Sequence, residues 1–182
     1  MAKREGSSGS GGPSAQARGA QSPGFLLAQV GAHAAARFAE RLQPLGLTPA
    51  HAGLLRMIAA SSGVSQQQVA AALGAFPSRM VGLVDELQDR KLVERQQNPQ
   101  DRRSHSLALT ADGRRALEAI GRVAREHQDA LLAALSPAER DTLTQLLLRV
   151  ADDQGLTRGV HPGYARMKPI SAAGRTAART SR

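Results

Sequence analysis

With 182 residues, the chain has room for one ordinary domain and flanking tails, and enough length to bury a core. It has no cysteine, which excludes disulfides, thiol redox sensing and cysteine-ligated zinc, and no apolar run near the roughly 20 residues that span a bilayer. The formal charge of +9 is concentrated at the ends: residues 1–22 carry +2, residues 153–182 carry +5, and the segment between them only +2.

Residues 1–22 are rich in Gly, Ser, Ala and Gln and are expected to be a disordered tail, with no secretory signal. From Gly24 the apolar residues Phe25, Leu26, Val30, Ala34, Phe38 and Leu42 recur at helical spacing, and Pro44 and Gly46 end that helix. Thr48-Pro49 restarts the chain with an N-cap hydroxyl and a proline at the first helical position; Leu54, Leu55 and Ile58 follow. Ser65 caps a short helix from Gln66 to Leu73, which Gly74 ends. Pro77 then opens a fourth helix with Met80, Leu83, Val84 and Leu87 as its buried stripe. At 100° per residue, Ser78, Gly82, Asp85 and Asp89 lie opposite that stripe, with Arg79 and Glu86 on one flank and Val81 on the other.

Residues 92–96 and 104–109 read as two strands around the turn Asn98-Pro99-Gln100-Asp101-Arg102-Arg103. Thr110 caps a long helix to about Ala134, and Ser136-Pro137-Ala138-Glu139 is a capping box for a last helix carrying Leu143, Leu146, Leu147 and Val150. Beyond Asp153 the chain reads as a flexible basic tail. A helical pair followed at once by an arginine-tipped hairpin is the outline of a winged helix-turn-helix. In that arrangement one helix enters a major groove of DNA and the hairpin reaches an adjacent minor groove. The expected fold is mainly α, with a two- to three-stranded antiparallel wing and long dimerisation helices.

Residues from about 24 to 152 resemble the MarR family of bacterial transcription regulators. Three stretches carry the likeness: LGLTPAHAGLLRMI before the helix pair, LVDELQDRKLVER from recognition helix into wing, and NPQDRRSHSLALTADG. The third is the most specific, joining a wing, an Asp-Arg-Arg tip and a Leu-Thr-x-x-Gly helix start at fixed spacing. The resemblance implies a homodimer interlocked through residues 24–43 and 111–150, with the winged lobe at about 48–110. It implies a small-molecule pocket between dimerisation helices and lobe, and a pseudo-palindromic operator in double-stranded DNA. It also implies that Pro77, Ser78 and Arg79 begin the recognition helix, and that Asp101 holds Arg103 for the minor groove with Arg102 between them. Gly82 departs from relatives that place a polar or basic side chain there, so fewer base contacts come from the middle of the helix.

Arg79 is the first candidate for a groove contact. Asp85, Glu86 and Asp89 restrict insertion to the helix N-terminus, because deeper entry would bring carboxylates to phosphate. Arg95, near the strand base, is a candidate phosphate contact, with a surface ion pair as its bland reading. His33, His51 and His127 have no compact ligand spacing, so no metal is expected; His33, His51 and Arg56 are candidates for polar contacts to an effector. His105, Ser104 and Ser106 lack an orienting third group, so no enzyme is expected, and no cofactor is called for. The leading expectation is a cytoplasmic, sequence-specific repressor released by a small phenolic or aromatic acid. The alternative is an architectural DNA-binding protein acting through backbone contacts and basic tails.

Overall fold

A computed structural model describes residues 22–61, 63–98, 101–161 and 164, without the side chains of residues 98 and 101–104. Its elements in chain order are α1 (Pro23–Leu42), α2 (Pro49–Ala60), α3 (Gln66–Ala72), α4 (Pro77–Asp89), β1 (Val93–Asn98), β2 (Asp101–Leu109), α5 (Ala111–Leu131) and α6 (Pro137–Asp153). The chain divides into two units, residues 1–37 and 38–182. In the first, the described part is helical, and Phe25, Leu26, Leu27 and Val30 are exposed.

In the second unit the helix starts follow the local chemistry of the sequence. Thr48, Ser65 and Ser136 each accept a backbone N–H three residues on, and His51, Gln68 and Glu139 return the bond to complete capping boxes. Thr110 caps α5 through the N–H of Gly113 at 2.9 Å. Helix α4 has Pro77 in its first turn but no side-chain cap at Phe76, leaving its first amide groups uncapped by a side chain.

The core lies between α2, α3, α4 and the wing. Leu54, Leu55, Val69, Met80, Leu83, Val84, Leu87, Val93 and Leu107 are all buried within it. Each such side chain contributes about 1.5–3 kcal/mol by leaving water. The hairpin is antiparallel, running from Val93↔Leu109 to Gln97↔His105, with a register shift before Asn98↔Asp101. Val64 and Ser65 add a short third pairing: Leu107 donates to the Val64 carbonyl at 2.8 Å and Ser65 bridges Ser106. The two- to three-stranded wing expected from the sequence is therefore two strands plus one bridge.

Helix α6 buries none of its residues within the chain. Two expectations change. Helix α5 ends at Leu131, not near Ala134. The region beyond Asp153 is not merely a tail either, because Tyr164 is buried and joins the core.

Candidate nucleic-acid interface

The outward face of α4 begins with Pro77 and Ser78, both exposed, and continues through Val81 to Asp85 and Asp89, with Gly82 half-buried between them. Only short side chains therefore project from its N-terminal half. Arg79 does not stand among them. It is half-buried, its Nε is enclosed without a hydrogen-bond partner among the described residues, and its charge acts on His51. Sequence projection put Arg79 on the flank that it occupies, but not at this depth. Val81, placed on the flank by sequence projection but not among the candidate contacts, is 41 % exposed on this face.

The wing is braced against the same helix. The Arg95 guanidinium donates to Asp85 Oδ1 at 2.7 Å, to Gln66 Oε1 at 3.2 Å and to the side-chain oxygen of Gln88. This favours the ion-pair reading of Arg95 over the phosphate contact: three of its five N–H donors are engaged on α3 and α4. The brace also offsets the carboxylate of Asp85 on the face turned outward. At the tip, Pro99 and Gln100 lie outside the described residues. The backbones of Asp101, Arg102 and Arg103 begin β2, and their side chains lie outside the description.

His51 is also corrected. It is only 2 % exposed, its Nδ1 accepts from the Thr48 N–H at 3.3 Å, and its Nε2 donates to Glu86 Oε2 at 2.9 Å. Both ring nitrogens are used inside the protein, so none remains for an effector. Burial lowers its pKa against the opposing pull of Glu86, with Arg90 and Arg79 adding smaller downward effects. The ring thus bonds α2 to the recognition helix in its neutral form. Arg56 donates to the Gly159 carbonyl beside a cavity of about 200 Å³. His33 is exposed on the first unit, and the His127 ring packs at a tilt against Phe38, 5.5 Å between centroids. The described residues hold no group of three His, Asp or Glu side chains able to bind a metal.

A larger open cavity of about 940 Å³ lies where α2, β2 and α5 meet. Its walls include Ile58, Leu107, Leu109 and Leu117, and Arg114, Arg122 and Arg125 stand along one side. Arg114 donates to the Leu109 carbonyl at 3.0 Å. Among the described residues, Arg122 and Arg125 form no ion pair. The resemblance implied a pocket between a dimerisation helix and the lobe, but sequence reasoning named none of these residues for it. Its signal is the charged row Arg114, Glu118, Arg122 and Arg125, one turn apart along a face of α5 that also carries Leu117 and Gly121.

Comparison with known proteins gives a consistent picture. A family model described as MarR family matches residues 45–104. An HTH-type transcriptional repressor of Mycobacterium tuberculosis is 30 % identical over 130 residues, covering 71 % of this chain and 94 % of that protein. A Thauera aromatica protein described as a transcriptional regulatory protein for the hcr operon is 41 % identical over 106 residues, 58 % of this chain. The match spans 63 % of that protein's length. Among solved structures, the transcriptional repressor CouR bound to a 23-mer DNA duplex aligns with a TM-score of 0.67 at 30 % identity, covering 77 % of this chain and 99 % of that one. CouR from Rhodococcus jostii RHA1 bound to p-coumaroyl-CoA aligns with a TM-score of 0.61 at 32 % identity, covering 72 % and 93 %. No helix among the described residues is long and apolar enough to cross a membrane.

Proposed function

This chain belongs to the MarR family of transcription regulators, and on that premise we propose that it is a homodimeric, operator-specific repressor released by an anionic aromatic effector. The observation that carries the proposal is the outward N-terminal face of α4, locked to the wing by Arg95 and Asp85. A recognition helix and a hairpin held as one rigid piece can address a major groove and its neighbouring minor groove together. Pro77, Ser78, Val81 and Gly82 form the approach to the bases, with Arg79 reaching the DNA from the flank. Pro77 carries no N–H and those of Arg79 and Met80 are bonded to the Phe76 carbonyl, which leaves the Ser78 N–H at the start of α4 to meet a backbone phosphate. Arg102 and Arg103 serve the minor groove from the wing, with Asp101 holding Arg103 in place. The protein performs no covalent chemistry and works in the cytoplasm.

The effector site is assigned to the arginine-edged cavity, in place of His33, His51 and Arg56. Apolar walls suit an aromatic ring, and Arg122 and Arg125 suit a carboxylate or the phosphates of its CoA thioester. The R. jostii repressor bound to p-coumaroyl-CoA supports that ligand class. A ligand wedged between α5 and the winged lobe would change the spacing of two recognition helices. A swing from 1:99 to 99:1 needs a preference of about 5.5 kcal/mol for the released geometry.

The test is selection of bound sequences from random duplex DNA by the full-length protein, followed by titration of the selected operator. A regulator should prefer it by roughly 10³-fold or more over random DNA, and p-coumaroyl-CoA or p-coumarate should release it. Arg122→Ala with Arg125→Ala should blunt release while leaving operator affinity intact. Equal affinity for all sequences would favour an architectural role and overturn the proposal.

A further inference from the structure

Past α6 the chain folds back upon α2. Arg158 closes the turn with two bonds to the Asp152 carboxylate, at 3.1 and 2.7 Å. Arg56 of α2 holds the Gly159 carbonyl, and Val160 packs against the core. Tyr164 then enters the fold. It is 6 % exposed, and its hydroxyl donates to the Ala50 carbonyl in the first turn of α2 at 2.9 Å. Burial pushes its pKa up to about 12, so at neutral pH the hydroxyl keeps the proton that it donates.

The seat is made by small side chains. A Cβ at Gly53 would lie 1.8 Å from the tyrosine oxygen, so glycine is what leaves room for the phenol. Ala50, Gly53, Met57 and Ala60 fall at helical spacing along this side of α2, and Leu73 closes the seat from beyond α3. The inward side of α2 carries Leu54, Leu55 and Ile58, together with His51, whose bond to Glu86 joins the recognition helix. Helix α2 is thus gripped from two sides, by Tyr164 on one and by the recognition helix on the other. His51 follows directly on the carbonyl that Tyr164 holds.

We propose that Tyr164 is a positioning residue for DNA recognition: seated over Gly53, it fixes α2, which sets α4 through His51 and Glu86. The C-terminal segment is then a working part of the winged lobe, outside the stretch matched by the family model. This inference rests on the repressor reading above.

Tyr164 is the only tyrosine in the chain. Incorporated 3-fluorotyrosine therefore gives one fluorine resonance, which reports whether the ring is seated. Gly53→Ala is the main variant, because alanine favours a helix while its methyl expels the ring. In the full-length dimer it should move the resonance to that of a free side chain. It should weaken binding to the selected operator by roughly 2- to 30-fold, the range for mutations that act through a packed network. The dependence on salt should not change, since no phosphate contact is lost. Tyr164→Phe, which keeps the ring and loses one bond, should fall between wild type and Gly53→Ala in operator affinity.

An expelled ring with unaltered operator affinity would reduce Tyr164 to a stabiliser and overturn the proposal. So would a wild-type resonance already at the free position. A wild-type protein that prefers no DNA sequence would sink the repressor reading and this inference together. That result is told apart by the wild type failing, not only the variant.

Discussion

The winged lobe and helix α6 use leucine in opposite ways. In the lobe, Leu54, Leu55, Leu83 and Leu87 are at most 1 % exposed; in α6, Leu146, Leu147, Leu148 and Val150 are 39–51 % exposed. The lobe completes its core within one chain, whereas α6 leaves an apolar face open. Exposed apolar surface of this kind, on a helix capped as well as any in the molecule, marks an interface. The first unit shows the same trait in Phe25, Leu26, Leu27 and Val30. Stability of the lobe should therefore be a property of the monomer, and that of the long helices a property of the assembly.

The strongest test of that contrast is a charge placed on the open face. Leu147→Glu should abolish the dimer in sedimentation and lower operator affinity by about a hundredfold or more, because two linked half-sites become one. An unchanged dimer would show that α6 is not the interface. Next in size, Leu83→Ala should cost about 2–5 kcal/mol in urea unfolding. Its cost should be the same at every protein concentration, whereas the loss from Leu146→Ala should vanish where the protein is too dilute to dimerise and grow to a plateau as concentration rises. Identical concentration dependence in both would erase the distinction between the two regions.

A smaller effect should separate them by pH. His51 is buried and its folded pKa lies below the ordinary 6.5. Below that pH the unfolded chain takes up a proton that the folded chain resists. Its share of stability is therefore complete above 6.5 and declines as pH falls through the lowered folded value. The groups facing the ring are Glu86, which opposes this shift, and Arg90 and Arg79, which add to it. His51→Gln should flatten the difference in lobe stability between neutral and mildly acidic solution, while dimer dissociation keeps its own pH profile. A wild-type slope retained in the variant would assign the effect to another histidine.

The smallest expected stability change is at Arg95. Its pair with Asp85 is partly exposed, so Arg95→Ala should cost under about 1 kcal/mol of stability. It should nevertheless weaken binding to all DNA sequences alike, by loosening the wing and baring Asp85. Arg103→Ala should instead lose preference for narrow, A·T-rich flanks. Indistinguishable sequence profiles for the two variants would show that brace and tip do not divide the work.

Much of this architecture is legible in the sequence because it is set locally. Thr48-Pro49, Ser65 and Ser136-Pro137 announce their helices through bonds that span three residues, and the stripe from Met80 to Leu87 announces the buried face of α4. What the sequence hides depends on partners far along the chain. Arg95 meets residues 7, 10 and 29 positions away. The partner of His51 is 35 positions distant, and Tyr164 finds Ala50 across 114. Helical projection also places Arg79 correctly in angle but says nothing of depth, which the neighbouring helix decides. The arginine-edged cavity needs three elements to converge, and only its row along α5 is visible in one dimension.

The start of α5 has a consequence for the wing. A Cβ at Gly113 would stand 1.9 Å from the Leu92 carbonyl oxygen, and the Thr110 hydroxyl donates to the Lys91 carbonyl at 2.6 Å. Thr110 also returns its N–H to the Leu92 carbonyl at 3.2 Å. The two ends of the hairpin are thus clasped to one another just outside the strands, ahead of β1 and after β2. The wing is in effect a cartridge in a fixed socket. The strands themselves are tied to the body through Val93, Arg95 and Leu107, so it is a tip of other sequence, not strands of other length, that should be exchangeable, provided that Thr110 and Gly113 are kept.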